Sequence, residues 1–255
     1  MKRLWLAILF MTVFMTAFIP VRSDALDLRY TAEVHPLDDR SKLLYTYRSE
    51  SEPQGDLILV HNQFSYPDGH MATHEDLTFT KSGHLTLYKQ EHAQLKATGS
   101  IEIGGGKAKF TWKKDGKEKT ASEDAGDDFI VGTQIPMELE AHWAEILKGD
   151  TLKRRLAVLE RLETIGFGFT KEGDGVSDSK KAIVVKMKAS AFLIAALVPP
   201  LHFYMSPDGK VLYEIKGRTT VKKDSGNGKF GDLDADVVYT KGPAPEIQPT
   251  GGNSK

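Results

Sequence analysis

Apolar and polar residues alternate through most of this chain, the period of strands with one buried face. Over 42–49, Leu43, Tyr45 and Tyr47 fall on alternate positions. Over 56–66, Leu57, Leu59 and His61 share one side, with Ile58 and Val60 on the other. Leu77 and Phe79 alternate with Thr78 and Thr80, and Leu85 and Leu87 continue the pattern. Segments 100–103, 107–113 and 118–122 predict a three-strand meander in which Ala108, Phe110 and Trp112 share one face and lysines the other. Turn signals separate the runs: Pro67-Asp68-Gly69, Ser82-Gly83, Gly104-Gly105-Gly106, Asp115-Gly116 and Pro207-Asp208-Gly209. These residues accept positive φ and favour tight hairpins. The spacing predicts a mainly β, antiparallel domain.

Three stretches depart from this period. Pro136 opens a helical segment over 137–147, with Leu139, Trp143, Ile146 and Leu147 on one stripe and Gly149 as the stop. Residues 151–169 fit two readings. Leu152, Leu156, Leu159 and Leu162 recur at helical intervals, while 164–169 alternates glycine with Ile165, Phe167 and Phe169 as a strand would. The third stretch, 189–205, is the longest apolar run outside the N-terminus. In it Ser190 is placed to cap a short helix over 191–197, which Pro199-Pro200 must stop. Strands over 182–187, 201–205 and 211–221 flank that helix, and a short strand over 235–240 follows a glycine-rich loop.

Lys2-Arg3, an apolar core over 4–20 and small residues at Ser23 and Ala25 describe a secretory signal peptide over 1–25. An uncleaved anchor is the other reading of that segment. The expected product is exported, periplasmic or beyond, with one β-rich domain over 26–241 and a disordered tail over 242–255. No later apolar run predicts an integral membrane span. The chain has no cysteine, which excludes thiol catalysis and thiolate metal sites. Its 34 basic and 35 acidic residues give no electrostatic case for nucleic acid.

Several local phrases occur together: Tyr45-x-Tyr47, the meander ending at Trp112, Phe129-x-Val131-Gly132, and a Trp143 segment closing with Lys148-Gly149-Asp150. Arg161-Leu162-Glu163-Thr164-Ile165-Gly166-Phe167 follows, then Ser206-x-Asp208 with Tyr213 and Gly217-Arg218. Over 43–221 the chain thereby resembles a group of uncharacterised exported bacterial proteins. Their sheet is similar to the open half-barrel of outer-membrane lipoprotein carriers. The resemblance implies a curved antiparallel sheet with one or two short helices packed on an apolar concave side. It also implies one long strand over 153–169. Carriers of that architecture bind acyl chains, and the group has no agreed catalytic residues.

Candidate chemistry is sparse. His70, His74, Glu75 and Asp76 are metal-type ligands within seven residues. In an extended chain, however, His70 and His74 stand about 13 Å apart, too far for one ion. His61 and His202 read as partly buried structural histidines. No serine stands in a nucleophile elbow, and Gly104-Gly105-Gly106 precedes a strand instead of a phosphate-binding helix. The sequence therefore points away from an enzyme and assigns no catalytic residue, metal or cofactor. Phe192, Leu193, Leu197, Leu201 and Phe203 form the candidate site for an apolar ligand. The expectation is a non-enzymatic protein that binds a lipid or amphiphile of the cell envelope. Two alternatives stand beside it: an assembly protein docking an envelope protein through its sheet, and a metal-dependent hydrolase built on His70 and His74.

Overall fold

The computed structural model describes residues 28–241, so the expected signal peptide and tail lie outside the described residues. Among those described, fifteen strands form one mainly antiparallel sheet with a few short helices. The first eight strands run in chain order: β1 (Tyr30–Pro36), β2 (Tyr45–Gln54), β3 (Leu57–Ser65), β4 (Met71–Thr80), β5 (Leu85–His92), β6 (Ala97–Gly104), β7 (Lys107–Lys114) and β8 (Lys117–Asp124). The chain then forms β9 (Phe129–Ile130), helices α1 (Ile135–Ala141) and α2 (Trp143–Leu147), β10 (Leu152–Val158), β11 (Glu163–Ser177) and β12 (Lys180–Ala189). Helix α3 (Phe192–Leu197) leads into β13 (Leu201–Met205), β14 (Leu212–Asp224) and β15 (Phe230–Lys241).

The spatial order is β8 to β1, then β15 back to β9. Two meanders thus stand side by side, joined where β1 pairs antiparallel with β15. The two edges, β8 and β9, are consecutive in the chain, and this forces the sheet to roll. Fifteen strands laid flat would separate the edges by about 67 Å. The link from Asp124 to Phe129 spans at most about 18 Å. The edges therefore meet along a seam that side chains close. Thr164 donates through its backbone N–H (3.2 Å) and its hydroxyl (2.6 Å) to Glu123 at the end of β8. Arg155 donates to Asp128 (2.9 Å) and to the carbonyl of Asp124 (2.8 Å). Within β9–β10 the pairing is parallel.

The 153–169 segment is two strands instead of the one expected. β10 and β11 are joined by a 3-10 turn over Leu159–Arg161, and Leu162 reverses the chain with φ 59°. Leu159 packs where a Cβ on Gly99 would lie 2.7 Å from it and 2.7 Å from Trp112. That absence of a side chain lets the turn settle onto β6 and cover the seam. The helical segment starts at Ile135 and breaks at His142, giving α1 and α2 instead of one helix. Helix α3 has Ala191 as its N-cap with no side-chain cap bond, so Ser190 does not cap it. β15 runs twelve residues, longer than the short strand expected. β1, which the period reading passes over, pairs with both β2 and β15.

Leu139, Trp143 and Ile146 bury the apolar stripe of α1 and α2 against inward residues of β10 to β14, among them Phe169, Met187 and Phe203. The helices therefore sit on the concave side. Trp143 donates from Nε1 to the carbonyl of Pro207 (3.1 Å) and covers Gly209, which has φ 75°. Met137 approaches Gly83 of the β4–β5 hairpin, so the helical segment floors the end where that hairpin and the β13–β14 hairpin of Pro207 and Gly209 turn. On the outer face, the β1–β2 loop is held by Arg40, which donates to buried Asp236 (2.6 Å) and pairs with buried Glu214 (2.7 Å).

Candidate functional site

Rolling the sheet over its helical floor leaves an interior cavity of about 530 Å³. This falls within the ordinary range of small-molecule sites, roughly 300–1,000 Å³. One wall is aliphatic and aromatic: Leu156, Phe167, Met187, Leu201, Phe203 and Ile215 line it. These residues alternate inward along β10 to β14, the consequence of period-2 patterning on a curved sheet. Ile135 and Pro136 reach the cavity from the floor, and Ile194 and Val198 reach it from α3 and the residue after it.

The opposite wall carries aromatic rings with polar tips. Tyr47 packs on Phe64 (centroids 4.7 Å apart) and edge-on to Tyr239 (5.9 Å), which meets Tyr30 edge-on (6.2 Å). All four rings line the cavity. Burial pushes the Tyr47 and Tyr239 phenols well above their usual range, so both stay neutral. Beside them lies one acidic corner. Glu75 accepts from Tyr88 (3.0 Å), Gln90 (3.3 Å) and Asn62 (3.1 Å). Burial nevertheless raises the Glu75 carboxyl, outweighing those three donors, which favour its charged form. Asn62 also donates to Thr133 of the floor (2.9 Å), which ties this corner to the helical segment.

The cavity meets solvent at the end away from the floor. There Arg218 donates to Asp234 (2.6 Å), Lys222 pairs with Glu160 (3.0 Å) and Asp232 (3.3 Å), and Arg161 donates to Glu163 (2.6 Å). Arg161, Arg218, Lys222, Glu160 and Asp232 belong to the lining, so the rim is a ring of ion pairs around an apolar interior. The backbone of Lys222 is fixed from across the interior. Buried Gln94, in the β5–β6 turn, accepts from its N–H (2.9 Å) and donates to its carbonyl (3.0 Å).

Of the five residues expected to meet an apolar ligand, Leu201 and Phe203 line the cavity. Phe192 does not: it is 83% exposed and outside the lining. Helix geometry explains this. Ile194 turns toward the cavity, whereas Phe192 lies about 200° round the helix from it. The side chains of Leu193 and Leu197 lie outside the described ones. The polar corner and the rim were not readable from local sequence, because β3, β4 and β5 build the corner and β14, β15 and the β10–β11 turn build the rim only through register. His70 and His74 do not converge. His70 sits in the exposed turn before β4, 3.0 Å from Asp68. His74 instead meets His61 and Asp76 on the outer face, with one ligand atom from each of the three within 4.8 Å of the others. His202 pairs with Glu172 (3.2 Å).

No family model and no curated protein matches the sequence. Among solved structures, the chain is similar to a β-barrel-like protein of the domain of unknown function DUF1849 from Brucella abortus. Identity is 12%, coverage is 84% of this chain and 94% of that one, and the TM-score is 0.41. It is also similar to a DUF1329 family protein from Desulfovibrio piger, at 7% identity, with 83% and 82% of the two chains covered and a TM-score of 0.25. Among the described residues no helix is long and apolar enough to cross a membrane.

Proposed function

We propose that this protein is an exported, non-enzymatic binder of an apolar or amphiphilic envelope component, which it holds in the interior cavity. The observation that carries the reading is a cavity of about 530 Å³ with apolar walls, a single acidic corner and a charged rim. An apolar body gains from such walls at about 0.8 kcal/mol for each methylene taken out of water. Ten methylenes contribute roughly 8 kcal/mol before the loss of the guest's freedom is subtracted. The neutral phenols and the Glu75 corner offer hydrogen bonds to a polar group inside. The paired rim suits a headgroup left near water. The strand edges support this reading over strand-to-strand docking of a partner. β8 exposes Lys117, Glu118, Lys119 and Asp124, charges that oppose the addition of another strand.

Titration with a fluorescent fatty acid tests the proposal. The expected result is saturable binding, weakened at least tenfold by Leu156→Trp or Ile194→Trp, each of which puts a large ring into the cavity. Phe192→Ala, outside the lining, should change affinity less than twofold. Binding by these two Trp variants equal to the parent's would overturn the assignment of the site.

A further inference from the structure

We propose that His61, His74 and Asp76 form a binding site for one divalent transition-metal ion, Zn²⁺ foremost, on the outer face of the sheet. The site arises from register. His61 of β3 stands directly opposite Asp76 of β4, and His74 lies two residues before Asp76 on the same strand face. His61 Nδ1 is 2.6 Å from Asp76 Oδ1, and His74 Nε2 is 3.0 Å from the same oxygen. The two imidazoles stack with centroids 6.3 Å apart, so both ring edges address one point.

The geometry is close to what an ion requires. The three ligand atoms lie within 4.8 Å of one another. Around a tetrahedral Zn²⁺ with bonds of about 2.1 Å they would stand about 3.4 Å apart. Small side-chain rotations close that difference while the paired strands hold the backbones. The side chains are 43%, 31% and 47% exposed, so an ion has a path in and a solvent molecule can take the fourth position. Two imidazoles and one carboxylate select Zn²⁺, Ni²⁺ or Cu²⁺ over Ca²⁺ and Mg²⁺, which take oxygen ligands.

The neighbours on this face act in both directions. Glu91 is opposite His74 and adds a carboxylate on this face, whereas Glu50, opposite His61, is paired with Arg48. Lys89 is opposite Asp76 and opposes a cation. A shallow groove of about 310 Å³, lined by His74, Asp76, Lys89 and Glu91, runs past the open position. Glu75, between His74 and Asp76 in the chain, points the other way into the interior cavity. The metal site and the apolar site are therefore on opposite faces of β4, and neither depends on the other.

The test is calorimetric titration of the tag-free, chelator-stripped chain with Zn²⁺ alone. One ion per chain is expected. His61→Ala and His74→Ala should each weaken binding at least tenfold, and Lys89→Ala should strengthen it. His70→Ala should leave it unchanged, because His70 is outside the trio. Thermal midpoints taken on each metal-free variant establish that it is folded. The assignment is overturned if the parent binds no tighter than the His61→Ala/His74→Ala double variant, or if His70→Ala weakens binding as much as His74→Ala.

Discussion

His92, at the end of β5, is fully buried, and that burial has a measurable consequence. Desolvation lowers its imidazole from 6.5 to about 4, so the folded protein keeps it neutral. The unfolded chain binds the proton near pH 6.5, while the folded chain does so only near pH 4. Between those values the unfolded state carries more protons, so stability falls as pH drops and the loss levels off below about pH 4. The full effect is about 3 kcal/mol. His92→Gln should remove this slope. Denaturant midpoints at pH 7, 5 and 4 will show a smaller drop in the variant than in the parent, and parallel drops would contradict the assignment.

At the scale of elements, two glycines permit close approaches that shape the cavity. A Cβ on Gly99 would stand 2.7 Å from Leu159 and 2.8 Å from the carbonyl of Thr111. A Cβ on Gly209 would stand 2.4 Å from the Trp143 ring, at a φ of 75° that already disfavours a side chain. Gly99→Ala should loosen the seam and Gly209→Ala the floor, each at a cost of about 1–3 kcal/mol. Gly104 has nothing within 4 Å of its Cβ position, and Gly104→Ala should change stability by less than about 0.5 kcal/mol. Equal losses at all three positions, measured by denaturant unfolding, would contradict the packing described.

The same elements show what local sequence conveys. The β6–β8 meander and the β13–β14 hairpin are readable because strict alternation and turn glycines agree. Residues 152–162 are not, because a spacing of four satisfies both periods. Leu152 and Leu156 share a strand face as well as a helix face, and Leu159 and Leu162 belong to the turn between two strands. Phe192 shows the converse limit. Apolar character placed α3 beside the cavity, but only helix phase decides that Ile194 faces it and Phe192 does not. The Glu75 corner and the His61–Asp76 pair needed the β3–β4–β5 register, which no local pattern supplies.

For the whole molecule, chain order explains the shape. The two edges of a fifteen-strand sheet are consecutive strands, so the sheet rolls until side chains can bridge them. Rolling converts alternating apolar positions into the wall of an enclosure. The helical segment closes one end, while Gln94 and Lys222 organise the other. The acidic corner stands beside phenol rings and faces an apolar wall, as expected of a site that orients a guest. Packing alone would favour filling such a volume, since interiors are as dense as organic crystals.

The most direct measurement is mass spectrometry of an organic extract from the full chain, expressed with residues 1–25 in place and purified without detergent. The account predicts a bound species with an acyl or similarly apolar body, at up to one per chain, and its depletion in Leu156→Trp. An extract free of any such species, together with a Leu156→Trp protein as stable as the parent and no weaker in binding the fluorescent fatty acid, would contradict it.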